Sequence, residues 1–425
     1  MKKVYLIIVF LFSAIMVFGQ GTMEEAKRCL NQKEYDKAVR IFQALADKGE
    51  VEAKFYLARC YTFGQGVPQD YSKAVYWYKK AAEQDYAKAQ CNLGVSYHNG
   101  HGVPQDYSKA VYWFKKAAGQ NFAQAQFNLG ACYEKGQGVP QDSSKAVYWY
   151  KKAANQGYAS AQFNLGNSYV KGEGVPQDYS KAAYWYEKAA NQGVALAQFN
   201  LGNSYVKGEG VPQDYSKAAY WYEKAANQGV ALAQFNLGNS YVKGEGVPQD
   251  YSKAAYWYEK AANQGVALAQ FNLGNSYVKG EGVPQDYSKA AYWYEKAANQ
   301  GVALAQTNLG FCYEKGEGVS QDYSKAVYWY KKAANQGDAS AQFNLGNSYA
   351  NGEGVPQDYS KAVYWYEKAA NQGVAPAQNN LGSCYGAGRG VPQDYSKAVY
   401  WYEKAAAQNY DLAKKNLDKL KRNKR

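Results

Sequence analysis

An all-α solenoid is the fold this sequence predicts, and three observations predict it. Tryptophan recurs at a constant interval, small apolar residues recur around it at helical spacing, and glycine with proline breaks the pattern once per period. The ten tryptophans, Trp77, Trp113, Trp149, Trp185, Trp221, Trp257, Trp293, Trp329, Trp365 and Trp401, lie 36 residues apart. A 36-residue period accommodates one helix-turn-helix pair. The expected architecture is a right-handed alpha-alpha superhelical solenoid of about ten such repeats plus terminal caps. A chain of 425 residues with 47% apolar composition would otherwise suggest two or three globular domains, a reading the periodicity overrides.

Taken in order, residues 1–19 read as a secretory signal peptide. Lys2 and Lys3 precede an apolar run from Val4 to Phe18 that holds one polar residue, Ser13, and cleavage is expected before Gln20. The run is shorter than the ~20 residues a retained membrane anchor wants. The protein is therefore expected to be exported, periplasmic or secreted, with no transmembrane segment after cleavage. Residues 20–52 read as an N-terminal capping helix pair, in which Tyr35-Asp36-Lys37-Ala38 matches the later Tyr-Ser-Lys-Ala but the glycine loop is missing.

Residues 53–412 hold ten repeats. In the one that begins at Ala161, Ala161, Leu165 and Tyr169 mark one face of a first helix. Gly172, Gly174 and Pro176 end it, because glycine permits positive φ and proline cannot continue a helix. Asp178 is placed to cap the second helix, whose buried stripe is read as Ala182, Trp185, Tyr186, Ala189 and Ala190. Gly193 is expected to supply a left-handed C-terminal cap, with Val194 as the apolar residue beyond it. Residues 413–425 read as a basic C-terminal capping helix whose apolar face is Leu412, Ala413, Leu417 and Leu420.

These residues resemble the Sel-one-like repeat (SLR) family, a branch of the tetratricopeptide (TPR) superfamily. The carriers in one repeat are Ala161, Leu165, Gly166, Tyr169, Gly172, Gly174, Asp178, Ala182, Trp185, Ala189 and Ala190, and similar sets recur ten times. Departures are mild: Ala58 replaces the helix glycine in the first repeat, Ser320 the loop proline in the eighth, and Pro376 enters near the start of a first helix in the tenth. The resemblance implies a non-enzymatic scaffold that mediates protein–protein interactions, often at membranes or cell envelopes. It also supplies the rival reading, a cell-wall or beta-lactam-acting hydrolase of the cysteine-rich repeat type, although the paired cysteines of that group are missing here.

Chemistry is sparse in the sequence. The two histidines, His98 and His101, are read as surface residues of the second repeat's loop, and their spacing with Cys91 matches no common zinc pattern. The paired glycines lack the strand and the Lys-Ser/Thr of a phosphate loop. Cys60, Cys132, Cys312 and Cys384 share one repeat position with none in adjacent repeats, too far apart for disulfides, and are read as small buried thiols. No cofactor or metal is expected.

The net charge of +13 is unevenly spread, with seven basic residues against Asp418 from Lys414 to Arg425. Export argues against a nucleic-acid partner, and the basic tail is expected to make at most a weak contact with an anionic surface. The partner is expected to be a protein or peptide, or a cell-envelope component, bound on the concave face. By analogy with TPR solenoids, that face is lined by non-core positions of the first helices: Phe163, Asn167 and Val170, with Phe199, Asn203, Val206, Phe235, Asn239, Val242, Phe271, Asn275 and Val278 at equivalent places. A ladder of amides and rings at regular spacing suits an extended peptide or a glycan, whereas three identical repeats from Val194 to Gly301 would equally serve as a spacer. The asparagines are expected to be replaceable by alanine without unfolding the chain.

Overall fold

The computed structural model describes residues 21–422, so the expected signal peptide lies outside the described residues. Among the described residues the chain is helical throughout, and it divides into two compact units, up to Gln213 and from Asp214 onward. The first unit starts with the capping helices Met23–Asn31 and Tyr35–Asp47 and runs through four complete repeats to the helix Ala195–Lys207. The second runs from the helix Tyr215–Asn227 through five complete repeats to the helix Asp411–Arg422. The fold is an all-α repeat solenoid.

Each repeat is assembled by the same local rules. The fourth has a first helix Ala159–Lys171 and a second helix Tyr179–Asn191, so helices start two residues before the apolar pattern does. Gly172 ends the first helix at φ +71°, and the Asp178 carboxylate opens the second by accepting the Lys181 N–H at 2.9 Å. Gly193, at φ +89°, closes it, with Val194 N–H bonded back to the Ala189 carbonyl at 3.1 Å. Ala161, Leu165, Tyr169, Ala182, Ala183, Tyr186, Ala189 and Ala190 are buried, while Trp185 is half-buried and stacks edge-on with the exposed Tyr184 at 5.0 Å. Pro376 falls in the first turn of its helix, where a missing N–H costs nothing.

Two features join consecutive repeats. Gly174 turns so tightly against the preceding repeat that a Cβ there would run into the backbone carbonyl of Ser143. A buried glutamine then stitches the pair: Gln162 Nε2 donates to the Ala154 carbonyl of the preceding repeat at 3.1 Å, and Gln162 Oε1 accepts from Gln192 Nε2 at 2.8 Å. The bonds recur at Gln270, which donates to Ala262 at 3.0 Å and accepts from Gln300 at 2.8 Å. In the first repeat Lys54 stands in this place, its ammonium bonded to the Gly49 carbonyl at 3.0 Å and Gln84 Oε1 at 3.1 Å. Every rung closes its own polar groups, as burial demands.

At the C-terminal end Ala413 is buried, and Leu417 and Leu420 pack on Ala398 and Tyr402. Leu412 does not join them. It is about half exposed, because the helix starts at Asp411 and Leu412 falls in its outward-facing first turn.

Candidate binding surface

A series of clefts lies between successive first helices, and in nine of the ten repeats a buried second-helix tyrosine sets the chemistry of their floor. Tyr186 sits on the second helix with its ring against Gly166, where a Cβ would come within 2.7 Å of it. Burial pushes the Tyr186 hydroxyl up to about 12, so it stays protonated and must donate a hydrogen bond. It donates to Asn167 Oδ1 at 2.7 Å, and Tyr258 and Tyr294 do the same to Asn239 and Asn275 at 2.6 Å. The fourth-position asparagine of the next repeat reaches the same oxygen, Asn272 Nδ2 lying 3.4 Å from Asn239 Oδ1 and Asn308 Nδ2 3.4 Å from Asn275 Oδ1. With the oxygen committed to donors, the amide orientation is fixed, and Nδ2 of Asn167, Asn239 and Asn275 is turned away from these bonds.

The first-helix asparagines are thus half framework and half surface. Asn239, Val242 and Asn275 come together with Tyr251, Tyr258 and Asn272 around a cleft of about 220 Å3, which Lys243, Lys279 and Glu281 border. Val278 is half-buried outside this group, and its carbonyl accepts from Gln285 Nε2 at 2.7 Å, as the Val170, Val206 and Val242 carbonyls do from Gln177, Gln213 and Gln249. The phenylalanines pack inward: Phe163, Phe235 and Phe271 lie 6.0 Å from the rings of Tyr186, Tyr258 and Tyr294. Phe199 and Asn203 are half-buried at the same positions of Ala195–Lys207.

Sequence reasoning missed the tyrosine of the second helix and the fourth-position asparagine, yet the repeats carry the signal in their variation. Where position seven offers no acceptor, position ten does: Tyr150 donates to Glu134 at 2.9 Å and Tyr330 to Glu314 at 2.7 Å, in repeats with Ala131 and Phe311 at position seven. Thr62 serves Tyr78 at 3.2 Å beside Arg59. The second repeat has Val95 and His98 at those two places, and there the tyrosine becomes Phe114. A buried hydroxyl is kept only where something can accept from it.

The histidines and cysteines fall elsewhere than a metal site would need. His98 is in the last turn of the helix Ala87–Asn99 and half-buried, not in the loop, and its Nε2 lies 3.2 Å from Gln137 Oε1; His101 stacks on Tyr71 at 4.9 Å. Among the described residues no group of three His, Cys, Asp or Glu side chains could hold a metal. All six cysteines are buried and unpaired; burial raises Cys60 and Cys132 to about 11 and Cys91 to about 12, so they are held as unreactive thiols.

Stacked helix pairs that repeat one cleft between their first helices define a TPR-like helical-repeat protein, a class whose members are generally protein-interaction scaffolds. Within it the chain belongs to the Sel1 repeat family, whose model matches ten consecutive segments from residues 51–86 through 375–410. It is similar to the crystal structure of a protective antigen of uropathogenic Escherichia coli strains displaying an SLR fold. The identity is 38% over 95% of this chain and 91% of that one, with a TM-score of 0.81. A Sel1 repeat protein from Oxalobacter formigenes is 36% identical over 72% of this chain and 89% of its own, with a TM-score of 0.54. No curated protein matches the chain.

Proposed function

We propose that this protein is an exported scaffold that performs no chemistry and holds an extended segment of a protein partner along its first-helix clefts. The observation that carries the reading is the recurring rung in which a buried tyrosine fixes an asparagine so that its Nδ2 is presented to a cleft. Regularly spaced N–H donors match the carbonyls of an extended main chain. The basic and apolar N-terminal run supports export, and the lysine-rich last helix suits weak contact with an anionic surface.

The test separates the asparagines' two roles. Alanine at these positions would orphan buried hydroxyls, so the informative change is Asn→Asp at Asn167, Asn239 and Asn275 together, which keeps the acceptor and removes the donor. Crosslinking capture from intact envelopes should recover a protein partner with the native chain and lose it, by tenfold or more, with the triple variant at unchanged helicity. Equal capture by both would discard the cleft model.

A further inference from the structure

The cleft at the second and third repeats departs from the pattern of the others. It encloses about 250 Å3 between Val95, His98, Phe114, Ala131 and Lys135. Here alone among the ten repeats the second-helix tyrosine is gone: Phe114 takes its place, with Val95 and Ala131 at the position-seven sites on either side of the cleft. Asn128, freed from a hydroxyl, lies 3.7 Å from Cys91 Sγ. The floor at Val95, Phe114 and Ala131 is therefore apolar, with the Asn128 amide beside it, where the cleft floor at Asn239 and Asn275 is hydrogen-bonded. The volume falls below the roughly 300–1,000 Å3 of cofactor-sized sites and suits a single side chain.

The rim is basic. In repeats four to seven the lysine that ends the first helix is neutralised by a loop glutamate, as in Lys171–Glu173 at 3.7 Å and Lys279–Glu281 at 3.6 Å. The third repeat has Gln137 in the glutamate's place, and Glu134 is taken by Tyr150, so Lys135 stands exposed without an ion pair among the described residues. Lys109 and Lys145 of the same repeats are paired with Asp106 and Asp142, so Lys135 is, among the described residues, the cation that lines this cleft unpaired.

We propose that this cleft is the anchor subsite of the binding surface, taking one bulky apolar side chain of an acidic peptide. The pocket buries the side chain, and Lys135, the lysine that lines it, meets a flanking carboxylate. The inference rests on the peptide-binding reading above and adds where a ligand is fixed in register: identical rungs cannot distinguish one register from another, and a single unlike pocket can.

Fluorescent acidic peptides with one central phenylalanine, and twins with alanine there, provide the test against the full chain. The phenylalanine peptide should bind roughly tenfold to a hundredfold tighter, the range expected for burying one aromatic side chain. The variant V95N/F114Y rebuilds the rung used by the other repeats and so should fold. It should abolish the difference in affinity between the phenylalanine peptide and its alanine twin. A lysine-flanked phenylalanine peptide should bind more weakly than the acidic one. Twins that bind the native chain equally, or a double variant that still discriminates them, would overturn the anchor while leaving the scaffold reading intact. Binding of neither twin would remove both.

Discussion

At the residue scale, the coupling of Tyr258 to Asn239 gives the sharpest energetic expectation. Tyr258 is buried, its hydroxyl is raised to about 12 by that burial, and Asn239 is its acceptor. Asn239→Val leaves a buried O–H unsatisfied and should destabilise by about 1–3 kcal/mol. Adding Tyr258→Phe removes the orphan and reproduces the Val95 and Phe114 pair of the second repeat, so the double variant should recover most of the loss. Urea unfolding of the four proteins in the cycle measures this, and strict additivity of the two changes would mean that the hydroxyl does not depend on the asparagine. The same coupling explains why the asparagine's place on the surface was legible in the sequence and its framework role was not. Its partner lies 19 residues on, in another helix, and only comparison of the exceptional repeats ties the two together.

At the scale of the element, the loops separate two uses of glycine. Gly246 has φ +77°, and a Cβ on it would strike the Tyr215 carbonyl of the preceding repeat. Gly265, at φ +90°, has no atom near the place a Cβ would take. Gly265→Ala should therefore cost only the left-handed conformation, about 1–2 kcal/mol, and Gly265→Asn less, since Asn121 and Asn409 adopt φ +62° at the equivalent helix ends. Gly246→Ala must displace a backbone as well and should lower the thermal midpoint well beyond either; a midpoint equal to that of Gly265→Ala would show the loops are not pinned to the repeat before them. The Asp178 cap and the positive φ of both glycine turns could be read directly from residue type, because capping and backbone handedness are local; the contact of Gly246 with Tyr215 of the preceding repeat could not. Pattern alone put the helix start two residues late, since Val194 and its equivalents look apolar but serve as the N-cap. It also put His98 in a loop, because only the glycine at Gly100 ends that helix.

At the scale of the molecule, stability in a repeat array is a sum of repeat and interface terms, and the identical repeats allow this to be tested without any change of side chain. Residues 231–266 and 267–302 have the same sequence, so excising 231–266 joins Val230 to Ala267 and restores every local junction. The glutamine bond that Gln270 made to the Ala262 carbonyl is then made to the Ala226 carbonyl, as Gln234 makes it at 3.0 Å in the full chain. The shortened chain should keep its helicity per residue and unfold with a denaturant dependence reduced roughly in proportion to its length, because that dependence tracks the surface exposed on unfolding. Excising about half that length, the helix Tyr251–Asn263 with its loop, leaves two first helices in succession, strands Gly238 without the Tyr258 ring it packs against, and should give a poorly soluble chain with lost cooperativity. The anchor cleft, lying wholly within residues 95–137, should be untouched by the in-phase deletion. Tight binding of the acidic phenylalanine peptide should survive it, and a proportional loss of that affinity would instead distribute recognition evenly over the rungs.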